Sequence, residues 1–238
     1  MNGLPEPITI AIIAVTALMS FAGFGSPALV EGLLFEPWRI VHRREYYRLV
    51  TSGFLHANWA HLIFNMFSLY SFGGPIESRF GAPALLVIYF SGIIGGNLVS
   101  LVLHRNHVYR ALGASGGVCG VIFAAIFLMP GTGVYVFPMP MPIPAHVFAI
   151  LFILISFFGI RGRRGNIGHD AHLGGAIIGL AVTSALHPEI ISDNRTLWVI
   201  VMSLAVVLFL YLYKKPLYEA GGARDWSGDD EKHGRRPW

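Results

Sequence analysis

The chain has 238 residues, 54% of them hydrophobic and 13% charged, with a mean hydropathy of +0.60 and a formal net charge of +4. A soluble domain carries about twice that charged share, so the composition excludes a water-soluble globule and points to an integral membrane protein. The basic residues sit mostly in short loops, which suits anionic lipid headgroups as their partner and not nucleic acid.

A helix needs about 20 apolar residues to cross a bilayer core. Seven segments qualify, in chain order: Ile8 to Phe24, Leu55 to Phe72, Ala84 to Leu103, Ser115 to Met129, Ile143 to Ile160, Ile167 to Leu186 and Leu197 to Tyr213. With no water at that depth, their backbone groups must pair internally, so the expected fold is all-α, a polytopic membrane helix bundle. The first segment has no basic residue ahead of it and no small-residue cleavage site, so it does not read as a signal peptide. Residues 26–52 mix Leu33, Leu34, Phe35 and Trp38 with Arg39, Arg43, Arg44 and Arg48, a pattern for a loop lying among the headgroups. Four prolines between Phe137 and Pro144 make a stiff connector. The polar stretch 219–238 reads as a disordered tail. The single cysteine, Cys119, excludes an intramolecular disulfide and reads as packing.

If the loops alternate sides, those after the first, third and fifth segments and the tail hold 15 of the 17 Lys and Arg residues. The positive-inside rule places that side in the cytoplasm.

Ionisable groups inside membrane helices are costly and mark function. His61 and Asn65 share one face of the second segment, at i, i+4. His169 and His172 share a face of the sixth, at i, i+3, while Asp170 points elsewhere. Ser115 opens the fourth segment inside the glycine-rich run Gly113 to Gly120. Alternation brings Ser115, His61 and His172 to one side of the membrane. Gly116 with Gly120, and Gly175 with Gly179, are small-xxx-small pairs that let two helix backbones touch. If those faces pack together, Ser115 and His172 come close to contact. The bland alternative makes the glycines mere packing and Ser115 a helix N-cap.

These motifs resemble the rhomboid family of intramembrane serine proteases. The matching pieces are Gly-x-Ser-Gly at Gly113 to Gly116, His-x-x-x-Asn at His61 to Asn65, and Ala-His-x-x-Gly at Ala171 to Gly175. The upstream His56, the Glu-x-Arg of Glu77 and Arg79, and Arg48 add to the match, which runs from about Glu45 to Leu186. Two departures stand out. Tyr47-Arg48 replaces the family's usual Trp-Arg, and Cys119 stands where bacterial members carry an aromatic residue that stacks on the histidine.

The resemblance implies a rhomboid-like six-helix core over residues 1–190 with an extra seventh helix at 196–214. It implies an endopeptidase with a Ser115–His172 dyad that cuts transmembrane helices of other proteins. Its oxyanion donors are the Ser115 backbone N–H with the His61 and Asn65 side chains. Gly113, Gly116, His56, Arg48, Glu77, Arg79 and His169 take supporting roles, and no cofactor or metal is needed. The family's site commonly opens outside the cytoplasm, which sets precedent against the charge rule. Precedent favours a cell (inner or plasma) membrane protein with its site outward. His42, His104, His107, His146, His187 and His233 read as surface or interfacial. The fifth segment, with Phe148, Phe152, Phe157 and Phe158, is expected to be a lateral gate. Two other readings stand beside this one: a catalytically inactive relative that binds transmembrane helices, and a metal-binding protein using His56, His61, His169 and His172.

Overall fold

The computed structural model describes residues 6–105, 107–131, 133–135, 141–162 and 168–214. Its helices are α1 Pro7–Gly25, α2 Pro27–Leu33, α3 Pro37–His42, α4 Arg48–Thr51, α5 Trp59–Phe80, α6 Ala82–His104, α7 Ser115–Leu128, α8 Ala145–Gly162, α9 His169–Leu186, α10 Glu189–Asp193 and α11 Arg195–Lys214. A 3₁₀ turn at Ser52–Phe54 follows α4, and Gly133–Val134 pairs antiparallel with Ile143–Pro144. The fold is therefore a helical bundle, as the composition requires. The tail 219–238 and residues 136–140 of the proline stretch lie outside the described residues.

Three helices, α1, α6 and α11, are long and apolar enough to cross a membrane by themselves. The other long ones carry polar residues, or, like α7 and α8, are short apolar helices. Large side chains such as Leu18, Phe67, Phe158 and Val207 lie more than half exposed on the outside of the bundle. That is the surface a bilayer would cover.

The second span is longer than its sequence suggests. The second segment is expected to end at Phe72, yet α5 runs on through Gly73-Gly74-Pro75 to Phe80 with Pro75 inside it. Glu77 explains this. Its carboxylate accepts from Ile8 N at 2.9 Å, Thr9 N at 2.7 Å and Thr9 Oγ1 at 2.7 Å. The first turn of a helix has backbone N–H groups without partners and a positive dipole end. Glu77 fills both needs for α1, so extending α5 satisfies two helices at once. Arg79 is exposed in the last turn, and no ion pair holds it among the described residues.

The centre of the bundle is α6, α7 and α9, which pack more closely on one another than any other elements. α7 is buried nearly all round, as its uniformly apolar sequence demands. One side carries Val118, Val121, Ala124 and Ala125 into a core shared with α1, α5 and α6. The other carries Cys119, Phe123, Ile126 and Phe127 into a core shared with α8, α9 and α11.

Candidate active site

α7 has 14 residues, a length of about 21 Å against a hydrocarbon core of about 30 Å. One end of it must then sit below a membrane face. A loop entering at such depth needs its backbone groups paired, and the loop ahead of Ser115 is anchored at three residues. Phe35 and Ala111 exchange both backbone hydrogen bonds, at 2.9 and 3.1 Å. Gly113 N donates to Ser52 O at 3.0 Å. Ala114 N donates to His56 Nε2 at 3.4 Å.

That last bond fixes a tautomer. If Nε2 accepts, the proton is on Nδ1, which lies 2.9 Å from Ser20 Oγ. Ser20 Oγ then accepts from the imidazole and donates to Phe54 O at 3.1 Å. His56, 3% exposed, thus ties α1 to the residue before Ser115. Its role as a loop brace is a structural one.

Ser115 is the first residue of α7, and Gly113, with φ +140°, makes the turn into it. A β-carbon at Gly113 would lie 2.7 Å from His61 Cε1 and 2.9 Å from Nε2, but 3.7 Å from Ser115 Oγ. Glycine here is what lets the His61 ring lie beside the serine. His61 stands in the first turn of α5, where Asn58 caps by accepting from His61 N at 2.9 Å. Asn65 is buried one turn further on. Its amide donates one hydrogen to His61 O at 2.9 Å, which leaves the second N–H of the same nitrogen.

The glycine pairs meet as their spacing predicts. A β-carbon at Gly175 would collide with the carbonyl of Gly116, and one at Gly179 with the backbone of Gly120. One at Gly116 would lie 3.5 Å from Ala171 O, the residue before His172. The heads of α7 and α9 therefore touch backbone to backbone. No hydrogen bond joins Ser115 Oγ to His172 among the described residues.

Phe152 of α8 stands beside the His172 ring, centroids 6.4 Å apart and planes tilted by 32°. Sequence reading assigned Phe152 to a gate; its contact with His172, across α8 and α9, carries no local sequence signal. The His169 ring is packed on Gly159 of α8, where a β-carbon would run into it, and 6.0 Å from the His172 ring. Arg48 is 1% exposed; it donates to Glu31 O at 3.0 Å and Leu34 O at 2.7 Å, and pairs with Glu45 at 2.5 Å. It holds the folded loop 26–52 together.

His104 needs correction. The sequence places it among surface or interfacial residues, but it is 5% exposed, and its Nε2 lies 3.3 Å from Asp170 Oδ2. The end of α6 is covered by the loop that follows it, which apolar patterning cannot foresee. For the metal reading, no three His, Cys, Asp or Glu side chains converge as ligands among the described residues, and His56 is committed to Ser20 and Ala114.

Residues 43–189 match the rhomboid domain. The chain belongs to the rhomboid family. That match spans α4 to α9, the elements that build the site just described. This rhomboid is 33% identical over 149 residues to the Arabidopsis thaliana RHOMBOID-like protein 12, mitochondrial, covering 55% of this chain and 43% of that one. It is 29% identical over 219 residues to the Bacillus subtilis rhomboid protease GluP, covering 88% of this chain and 41% of that one. It is 32% identical over 136 residues to the Saccharomyces cerevisiae rhomboid protein 1, mitochondrial, covering 56% and 39%. The chain thus spans less than half the length of these curated relatives.

Proposed function

We propose that this rhomboid is an intramembrane serine endopeptidase acting on transmembrane helices of other proteins. One observation carries the reading. A serine at the head of α7 has the His61 ring beside it across Gly113, while the glycine contact of α7 with α9 holds Ala171, next to His172, against Gly116. Serine is a nucleophile only with a base in reach. Ser115 Oγ attacks the scissile carbonyl, and His172 takes its proton and returns it to the leaving amine. The oxyanion is met by the Ser115 backbone N–H, the His61 side chain and the second N–H of Asn65. Asp170 takes no part in the proton transfer. Residues 1–190 form the working core and 196–214 an added span. A cell-membrane location is part of this proposal; the match to a bacterial protein covers 88% of the chain, while two of the relatives above are mitochondrial by name.

A fluorophosphonate probe tests this directly. It is expected to label the wild-type protein and to leave Ser115→Ala and His172→Ala unlabelled. Labelling that persists in Ser115→Ala, or a wild type that neither labels nor cleaves, overturns the proposal.

The missing Ser115–His172 hydrogen bond favours a second reading, an inactive binder of transmembrane helices. Catalytic hydrogen bonds are often long before substrate arrives and tighten in the complex, so the protease reading is preferred. The same probe separates the two.

A further inference from the structure

Asp170 is a buried carboxylate, 4% exposed, in the first turn of α9 and outside the proton-transfer path. We propose that Asp170, with Tyr109 and His104, is a positioning clamp that sets the register of the His172 helix against the loop delivering Ser115. The inference rests on the protease reading above.

A carboxylate inside a membrane protein must be met by donors. Tyr109 OH donates to Asp170 Oδ1 at 2.9 Å, and His104 Nε2 stands 3.3 Å from Oδ2. The His104 and Tyr109 rings are stacked, centroids 3.9 Å apart and planes 1° from parallel. Behind them the Phe35 ring meets Tyr109 edge-on at 6.0 Å. The end of α6 and the loop that follows it therefore close on one carboxylate at the start of α9, 61 residues beyond Tyr109.

The position of Tyr109 gives the contact its meaning. The loop from Tyr109 to Ser115 is held at Ala111 by Phe35, at Gly113 by Ser52 and at Ala114 by His56. All three anchors belong to the segment 35–56. The Tyr109 hydroxyl instead reaches α9. The glycine faces of α7 and α9 let the helices touch, but facing glycines have no side chains to interlock and so do not by themselves fix how far one helix slides along the other. A hydrogen bond is directional and defines one register. Asp170 sits two residues from His172 on another face, so it acts through the placement of the helix and is not itself catalytic. A displacement of about 1 Å at reacting groups can cost about a hundredfold in rate, so this register matters.

The test uses the full chain in liposomes and a single-span reporter substrate with helix-breaking residues at the cut. Tyr109→Phe keeps the ring stack and removes only the hydroxyl. Its kcat is expected to fall about tenfold, with KM and thermal midpoint unchanged and with fluorophosphonate labelling slowed in parallel. Asp170→Asn should fall similarly, and the double variant no further, because both remove one interaction. If Asp170→Asn does not fold, Tyr109→Phe decides alone. Wild-type kcat in Tyr109→Phe, a fall that only tracks lost folded protein, or single losses that multiply would each overturn the clamp while Ser115-dependent turnover of the wild type leaves the protease reading intact. A wild type without that turnover overturns both.

Discussion

Around α7 the bundle is joined on two sides by different means. Toward α6 and α9 the contacts are backbone to backbone: a β-carbon at Gly92 would lie 2.8 Å from Gly116 O, one at Gly96 2.5 Å from Ala171 O, and one at Gly175 would overlap Gly116. Toward α8 the contact is between rings, with Phe123 of α7 against Phe152 at 5.4 Å, and Phe152 in turn lies 5.8 Å from Phe148 within α8. Further out, Phe157 meets Tyr211 of α11 at 5.7 Å, and the Tyr211 hydroxyl bonds Arg161. Main chain has no rotamers, so the glycine side cannot make room by repacking side chains. Rings turn about side-chain torsions and can repack, which main chain cannot. The molecule joins a rigid centre that carries Ser115 and His172 to an edge that can give, and no close packing ties α8 to α5 among the described residues.

The sharpest way to break that contrast is to place a side chain at the glycine seam. Gly175→Leu is expected to abolish folded protein and all probe labelling, since neither backbone can retreat. A folded, labelled Gly175→Leu in size-exclusion and labelling assays would show that the centre is as compliant as the edge. Within the rigid centre, Asn65→Ala removes a proposed oxyanion donor. It should lower kcat about a hundredfold with KM little changed, measured on the reporter substrate.

On the compliant side the two phenylalanines separate. Truncating a buried ring costs about 3 kcal/mol, so Phe157→Ala should lower the thermal midpoint while raising turnover severalfold if α8 is the gate. Phe152→Ala should instead slow probe labelling of Ser115, because Phe152 neighbours His172. Equal responses from both would erase the distinction between gate and support. The smallest effect belongs to the loop. The Arg110 guanidinium bonded to Glu31 holds that carboxyl below the usual carboxylate range. A lowered carboxyl contributes stability above its unfolded pKa and loses it as pH falls through the folded value. Arg110→Gln should therefore lower the thermal midpoint slightly at pH 7, and its difference from wild type should vanish in acid. The pair is partly exposed, so the shift is small.

Much of this was legible in the sequence. The seven apolar stretches, the serine opening a glycine-rich helix, the i, i+4 and i, i+3 polar pairs and the two small-residue pairs follow from local periodicity. Helix ends were less legible: Gly73-Gly74-Pro75 looks like a stop until Glu77 is seen capping α1. The site was legible where residues are near in sequence, as with Gly113, Ser115 and Gly116. It was not where contacts are made across the bundle, as with Phe152 beside His172 or His104 and Tyr109 around Asp170.

What the sequence determined by itself is the apolar character of the protein, its helical class and the polar residue types its helices carry. These depend on hydrophobic patterning and chain period, which are properties of neighbouring residues. Only the tertiary structure decided which carboxylate braces which element, which ring stands by His172 and which histidines are buried. Those choices arise from how helices close on one another, where a buried charge or donor takes whichever partner the packing brings within about 3 Å.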